Sequence, residues 1–133
     1  MIVLDTHAAI WLTTNDDSLG KKSRTIAASA LRNEQLAVSA ISFWEIGLLI
    51  ARRRLKMLGS AAEIRLTILA SGIGELPLNG DIAIRALDLE GLPGDPADRF
   101  IVASALVHEA TLMTADAALL GWRHKLPRQD AAK

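Results

Sequence analysis

Cysteine is absent from this chain of 133 residues, which excludes disulfides and thiolate metal sites and is typical of a protein of the reducing cytosol. An excess of charge of one sign is also absent, because fifteen Lys and Arg residues balance fifteen Asp and Glu residues. An anionic partner such as nucleic acid must therefore bind a local patch. No secretory signal is recognisable, and no apolar run approaches the ~20 residues of a membrane span. We expect a cytoplasmic protein without a membrane partner.

The composition is that of a packed globular protein. Half of the residues are hydrophobic and 23% are charged, far from the pattern of disordered chains. A chain of this length fits one hydrophobic core. We therefore expect a single domain over residues 1–133.

Short apolar runs alternate with segments of helical spacing. The runs at 2–4, 35–40, 74–78 and 110–114 predict strands, because they are too short for helices and suit a parallel sheet covered on both faces. Strands separated by helices predict right-handed crossovers. The expected fold class is α/β, with a parallel sheet between two layers of helices.

Helix starts are indicated by local capping patterns. Ser42 and Glu45 have the spacing of a capping box, as do Ser60 and Glu63, and Asp95 is followed by a proline as at many helix N-termini. In the helix expected over residues 81–90, the inward side chains would be Ile82, Ile84, Ala86 and Leu89.

Four acidic residues lie where elements meet the carboxyl edge of the predicted sheet. Asp5 follows the first strand and Asp116 the fourth, whereas Glu45 and Asp98 fall in the first turns of helices that follow strands. Ligands of open parallel sheets bind at this edge, so the four carboxylates can converge. Each also has a purely structural interpretation, as a helix N-cap, a capping-box partner or a complement to a helix dipole.

Convergence favours a chemical role over four separate structural ones. Carboxylates gathered in a partly desolvated cleft repel one another, which raises some of their pKa values unless a cation lies among them. Mg²⁺ and Mn²⁺ prefer oxygen ligands, and such an ion can activate a water and neutralise charge developing at a phosphodiester. The pattern therefore predicts a metal-dependent nuclease.

Four segments carry a resemblance to a known family: MIVLDTHAAIWL, VSAISFWEIGLLIARRRL, GDPADRFIVASAL and TLMTAD. In order and spacing they resemble the PIN-domain ribonucleases and, among these, the VapC toxins of bacterial type II toxin–antitoxin modules. The resemblance implies a PIN-like α/β/α sandwich around a four- to five-stranded sheet of order 3-2-1-4-5, and Mg²⁺- or Mn²⁺-dependent endonucleolytic cleavage of RNA. It also implies a homodimer and a VapB-type antitoxin that inserts a segment, often with an arginine, into the active-site groove.

The resemblance also assigns site residues and a mechanism. The second aspartate of DPADR matches the family's metal-binding acid, which leaves Asp95 as an N-cap. Thr114 matches a hydroxyl that commonly supports the site through a water, and Thr6 is a weaker candidate for such a role. A water activated by the metal would attack the phosphodiester in line, without a covalent intermediate, and leave a 5′-phosphate. A fifth strand is implied within the last dozen residues. The matched acids are Asp5, Glu45, Asp98 and Asp116.

Other residues allow two interpretations. Trp11 and Trp44 could stack on RNA bases, but burial in the core or at a partner interface is favoured. The stretch from Ile46 to Ile50 is apolar nearly all round, which suggests that one of its faces meets another chain. The densest basic cluster is either a solvated helix face or a set of RNA phosphate contacts, and comprises Arg52, Arg53, Arg54 and Lys56.

Two rival functions differ in class. An aspartate at the end of the first strand is also typical of haloacid-dehalogenase-type phosphatases, but these need a second aspartate two residues on, where this chain has His7. The other rival is a catalytically silent PIN-like module that binds RNA or a protein. Acids at all four matched positions argue against that module.

Overall fold

The computed structural model of the protein describes residues 1–55 and 59–133. Its single sheet is fully parallel, which confirms the predicted fold class, and its order β3-β2-β1-β4-β5 confirms the one implied by the resemblance. The fifth strand, implied near the C-terminus, pairs with the fourth. The strands are β1 (Ile2–Leu4), β2 (Leu36–Ser39), β3 (Gly74–Leu76), β4 (Thr111–Thr114) and β5 (Arg128–Asp130).

Helices connect the strands and cover both faces of the sheet. None of the helices in the described parts of the chain is long and apolar enough to cross a membrane. They are α1 (Thr6–Thr13), α2 (Lys21–Arg32), α3 (Ile41–Ala51), α4 (Ala61–Ala70), α5 (Gly80–Leu87), α6 (Pro96–Val107) and α7 (Ala117–Leu120).

The sheet separates two hydrophobic cores. Successive side chains of a strand point to opposite faces, so Val3 packs in one core and Leu4 in the other. The first core includes side chains of α5 and α6, such as Ile82 and Ile101. The second joins α1, α2 and α4 with part of α3, including Ile46. This is an α/β/α sandwich in which β1 is covered on both sides.

The central strands determine where the first acid lies. Leu4 of β1 is in register with Met113 of β4, and the backbone N–H of Asp5 donates to the Met113 carbonyl at 3.0 Å. Asp5 therefore leaves the sheet next to Thr114, at the carboxyl edge. The buried apolar strand fixes the backbone that carries this carboxylate.

One of the two expected capping boxes is wrong. Ser60 and Glu63 form the box at the start of α4, as predicted. At α3, however, the helix already begins at Ile41 after the N-cap Ala40, which makes no side-chain cap. The helix starts early because Ala40 already has helical backbone angles, and Ser39 Oγ accepts the Ile41 N–H at 3.3 Å in place of a cap by Ser42. Ser42 is consequently buried within the first turn instead of capping it, and Glu45 is in the second turn rather than the first.

One expected inward residue of α5 is also wrong. Ile84 is 64% exposed, whereas Ile82, Ala86 and Leu89 are buried. Residues two apart in a helix lie on nearly opposite sides, so Ile84 cannot share the buried face of Ile82 and Ala86.

Candidate active site

One cavity at the carboxyl edge of the sheet collects the acidic residues. It has a volume of about 270 Å³. The four acids predicted from the sequence all line it, and a fifth, Asp95, joins them. We call it the acid cavity, defined by Asp5, Glu45, Asp95, Asp98 and Asp116.

Asp5 is the most firmly held of these acids. Its side chain is 6% exposed, and its Oδ1 accepts the N–H of Ala8 at 2.8 Å, which caps α1. Its Oδ2 accepts the hydroxyl of Thr114 at 2.5 Å. Burial raises the pKa of Asp5, while the hydrogen bonds from Thr114 and Ala8 act in the opposite direction. The structural N-cap role and a place in the acid cavity are thus combined in one residue.

Thr114 links the two acids that follow strands. Besides donating to Asp5, its hydroxyl accepts the backbone N–H of Asp116 at 3.0 Å. The Asp116 Oδ1 in turn caps α7 by accepting the N–H groups of Ala118 at 2.8 Å and Leu119 at 3.1 Å. Thr114 therefore contacts Asp5 directly and orients the segment that carries Asp116.

Glu45 reaches the acid cavity from α3 and is held by α1. The hydroxyl of Thr6 donates to Glu45 Oε1 and also lies 3.0 Å from Ser42 Oγ. Thr6 and Ser42 are both buried. The carboxylate is therefore positioned by a contact between residues far apart in the chain, rather than by the local capping box expected from the sequence.

Asp95 and Asp98 form the opposite wall at the start of α6. Asp95 is the N-cap, as predicted, and its Oδ1 accepts the Asp98 N–H at 3.3 Å. One carboxylate oxygen from each of Glu45, Asp95 and Asp98 lies within 4.8 Å of the others. Sequence reasoning gave Asp95 a capping role alone. Its spacing of three from Asp98, which puts both side chains on one side of a helix start, was the available signal.

Asp98 has the most perturbed electrostatics of the group. Burial and then the neighbouring carboxylates, Asp95 first and Asp116 next, raise the pKa of Asp98 to about 7. None of the described residues donates a side-chain hydrogen bond to its carboxylate. The acid is therefore partly protonated near neutral pH when no cation is bound.

Arg99, which follows Asp98 in the chain, does not neutralise these charges. The guanidinium of Arg99 donates to the carbonyls of Ala86 at 2.9 Å and Leu92 at 3.0 Å, so it points back toward α5. Within residues 1–55 and 59–133, no lysine or arginine lines the acid cavity. The ion pair that these residues form, between Arg65 and Glu75, lies outside the cavity. The described lining offers five carboxylates beside the imidazole of His7, a donor set rich in the oxygen ligands that hard divalent cations prefer.

Two of the ring-bearing side chains singled out from the sequence line the acid cavity, and a third does not. His7 is exposed and lines the acid cavity with Trp11, and their rings meet edge to face at 6.4 Å. Trp44 is 56% exposed on the single chain, so the expectation that it is buried in the core is wrong.

The basic cluster lies away from the acids. Arg52, Arg53 and Arg54 are exposed at the C-terminal end of α3. At 1.5 Å per residue, Arg52 is about 10 Å along the helix axis from Glu45. None of these arginines lines the acid cavity. Lys56, the fourth member of the predicted RNA-binding cluster, lies outside the described residues.

Comparisons with known proteins agree on one family. The PIN domain model matches residues 2–121. Ribonuclease VapC22 of Mycobacterium tuberculosis is 32% identical over 127 residues, which are 95% of each chain.

Solved structures share the fold of this chain at lower identity. The crystal structure of VapBC2 from Rickettsia felis bound to a promoter DNA fragment has a TM-score of 0.70 at 17% identity, covering 97% of this chain and 98% of that one. DNA-bound VapBC from Salmonella typhimurium has a TM-score of 0.68 at 18% identity, covering 97% and 96%. FitAcB from Neisseria gonorrhoeae has a TM-score of 0.64 at 20% identity and covers 98% of both chains.

Proposed function

The chain belongs to the PIN-domain family and, within it, to the VapC-type ribonuclease toxins, and we propose that it cleaves RNA internally by a divalent-metal-dependent hydrolysis in the acid cavity. The observation that carries this proposal is the convergence of carboxylates from four separate parts of the chain on one cavity that no lysine or arginine of the described residues lines. The proposed ligands of Mg²⁺ or Mn²⁺ are Asp5, Glu45, Asp98 and Asp116.

The donor set fits such an ion. All the side chains that define the cavity offer carboxylate oxygens, and the elevated pKa of Asp98 reflects its burial and then the repulsion by neighbouring carboxylates that a cation would relieve. A bound divalent cation would supply the Lewis acidity that activates a water and stabilises negative charge developing on the phosphate. Asp95 is an additional candidate ligand, since its oxygen lies within 4.8 Å of those of Glu45 and Asp98.

The chain's own residues would orient the reaction. Thr114 and the start of α1 hold the Asp5 carboxylate, while Thr6 holds Glu45, so two of the ligands are fixed before substrate arrives. In the proposed hydrolysis the water oxygen bonds to phosphorus and the 3′-oxygen leaves. The products are a 3′-hydroxyl and a 5′-phosphate. Arg52, Arg53, Arg54 and Lys56 remain proposed phosphate contacts for a longer RNA strand.

A cleavage assay tests this function. Purified protein is incubated with total RNA and Mn²⁺ or Mg²⁺, with and without chelator, beside Asp5→Asn. We expect cleavage by the wild type with metal, no cleavage with chelator, and cleavage by Asp5→Asn with metal that is reduced roughly 10²–10³-fold, so that surviving cleavage means cleavage near the wild-type rate. Asp17→Asn removes an exposed acid outside the acid cavity and should cleave like the wild type. Cleavage that survives the chelator or Asp5→Asn would overturn the metal-dependent mechanism.

We further propose a VapB-type antitoxin as partner, since the structural neighbours are VapBC and FitAB complexes. An apolar groove of about 310 Å³ lies between α1, α2 and α4, with Leu12 and Leu31 among its lining residues. On α1, Leu12 lines this groove and Trp11 lines the acid cavity. A segment with apolar residues in the groove and an arginine beyond them could therefore reach the carboxylates.

The antitoxin proposal can be tested on the groove without touching the acids. Ala28 is exposed on α2 and lines the groove, whereas Thr25 on the same helix does not. Ala28→Glu should weaken inhibition by the proposed VapB-type antitoxin, while leaving RNA cleavage intact. Thr25→Glu is the control. Equal inhibition of both variants would place the antitoxin elsewhere.

A homodimer in the cytoplasm completes the proposal. Trp44 on α3 and Ile84 and Leu87 on α5 are large apolar side chains exposed on the single chain, as expected of an interface. Sedimentation velocity should show a dimer that Ile84→Glu dissociates. Arg85→Glu, at an exposed position of α5 that faces away from Ile84 and Leu87, should leave it intact. A monomeric wild type would contradict the dimer.

A further inference from the structure

A second cavity lies beside the acid cavity, between the loop that follows α5 and the segment that begins with α7. Its volume is about 750 Å³, within the range of ligand sites. Small residues form much of its wall, two rings stand at one side, and the charged lining residues are Asp88, Glu90 and Arg123. We call it the aromatic cavity, defined by Gly91, Pro93, Ala117, Trp122 and His124.

Residues that are close in the sequence line the two cavities along two stretches of chain. Asp116 lines the acid cavity, and Ala117 directly after it lines the aromatic cavity. In the loop before α6, Pro93 lines the aromatic cavity and Asp95 the acid cavity. One or two residues span only about 4 to 7 Å, the scale of one nucleotide step along a strand. A single RNA strand can therefore occupy both cavities.

The rings of the aromatic cavity form a stack with an open end. Trp122 and His124 lie parallel, with centroids 4.2 Å apart and an interplanar angle of 6°. Trp122 is 6% exposed and donates its Nε1–H to the Glu90 carbonyl at 2.9 Å. His124 is exposed, and its Nδ1 accepts the N–H of Leu126 at 3.0 Å. The inner ring is thus fixed in place, while the outer ring remains accessible to a further planar group.

The backbone around these rings is held in advance of any ligand. The guanidinium of Arg128 donates to the carbonyls of Leu119 at 2.7 Å, Trp122 at 2.6 Å and His124 at 2.9 Å. One β5 side chain therefore fixes the whole segment that carries the rings. Such preorganisation lowers the entropy lost on binding.

We propose that the aromatic cavity binds an unstacked base of single-stranded RNA next to the scissile phosphate, with that base stacked on His124. Single-stranded RNA is commonly read by bases that stack on aromatic or histidine rings. Gly91 and Ala117 leave room for a flat ring system, and the exposed Arg123 on the same wall can meet an adjoining phosphate. This inference rests on the proposed RNA-cleaving function and names the part of the substrate that the chain recognises beside its acids.

Two substitutions of His124 separate stacking from a structural role. His124→Asn keeps an acceptor for the Leu126 N–H but removes the ring. His124→Phe keeps a ring but removes that acceptor. Binding is measured by fluorescence anisotropy with a fluorescein-labelled oligoadenylate of about twelve nucleotides in Ca²⁺, beside an abasic strand of equal length. We expect His124→Asn to weaken oligoadenylate binding roughly five- to hundredfold and His124→Phe to bind like the wild type. Binding of the abasic strand should be the same for all three proteins.

A third variant tests the proposal without any substitution of His124. Ala118 is exposed on α7 and lines the aromatic cavity, so Ala118→Glu should obstruct it with both rings in place and weaken oligoadenylate binding. The proposal is overturned if His124→Phe loses binding while His124→Asn retains it, or if the variants weaken the abasic strand equally. Equal oligoadenylate binding by all the proteins also overturns it. Cleavage of total RNA by the wild type with Mn²⁺ is scored separately, so failure of the proposed function is distinguishable from failure of this inference.

Discussion

The two walls of the acid cavity are held by different forces. On the strand wall, Asp5 and Asp116 follow β1 and β4, and hydrogen bonds from Thr114 and from the starts of α1 and α7 organise them. On the helix wall, Asp95 caps α6 through one hydrogen bond from the Asp98 N–H, while burial and then repulsion by the neighbouring carboxylates raise the pKa of Asp98. The carboxylate oxygens of the strand wall are held in place by hydrogen bonds. On the helix wall, ionisation of Asp98 is unfavourable because the carboxyl group is partly buried among other carboxylates. A cation site needs both, because the first supplies geometry and the second makes binding favourable.

The largest difference between the walls should appear in the RNA cleavage rate when an aspartate is replaced by glutamate, whose side chain is one methylene longer. Asp5→Asn and Asp98→Asn should each reduce RNA cleavage by roughly 10²–10³-fold, since each removes a charge at the reacting centre. Asp5→Glu should be nearly as inactive, because the buried, doubly hydrogen-bonded position has no room for another methylene. Asp98→Glu, in a half-exposed position, should retain a measurable part of the activity. Equal losses for both Glu variants in single-turnover rates would show that the walls are equally rigid.

Metal addition is expected to act through the helix wall. At a concentration 100 times its Kd, an ion that binds only the folded state stabilises it by about 2.7 kcal/mol. Because Asp98 has a pKa of about 7 without metal, it must lose a proton on binding, so the Mn²⁺-induced rise in unfolding temperature should be larger at pH 8 than at pH 6. Asp98→Asn should lose most of this pH dependence. A rise that is identical at both pH values would separate Asp98 from the metal.

The strand wall should be sensitive to one hydroxyl. Thr114→Val leaves the buried Asp5 Oδ2 without its donor and the Asp116 N–H without its acceptor, so it should cost about 1–3 kcal/mol of stability. Cleavage should fall roughly 10- to 100-fold, as for other residues that orient metal ligands. Thr114→Ser retains the hydroxyl and is the matched control. Urea unfolding and initial cleavage rates of the two variants give the comparison, and a fully active Thr114→Val would remove Thr114 from the supporting role.

The strand wall was more predictable from the sequence than the helix wall. The apolar run before Asp5 marks a buried strand, and an acid directly after such a strand must lie at the edge where ligands bind. The order of the strands came from the family resemblance, because alternation of strands and helices does not determine which strands are neighbours.

Contacts between distant residues explain what sequence reasoning missed. Ser42 and Glu45 match a local capping pattern, yet their partner is Thr6, 39 residues from Glu45. The aromatic cavity likewise depends on the hydrogen bond from Trp122 to Glu90 and on Arg128, which brings together carbonyls of a turn. Patterns of three or four residues carry no information about such pairs, so the folded structure was needed to find them.

The smallest expected effect is on the free energy of unfolding, through the ionisation of Asp98 on the helix wall. The pKa of Asp98 is higher in the folded chain than its ordinary value of 3.8, so folding favours the protonated acid. Its contribution to stability is fully present below pH 3.8 and is lost as the pH rises through about 7.

Asn cannot ionise, so Asp98→Asn should match the wild type near pH 4 and exceed its unfolding free energy above pH 7 in chelator. Because Asp98 is half-exposed, solvent screening reduces the gain to about 1 kcal/mol. Asp17→Asn, at an exposed site, should show no such trend in urea titrations between pH 4 and 8. Suppose Asp98→Asn is instead less stable than the wild type at pH 8 without metal. The ionised Asp98 then does not destabilise the folded chain, and the two walls differ only in their hydrogen bonds.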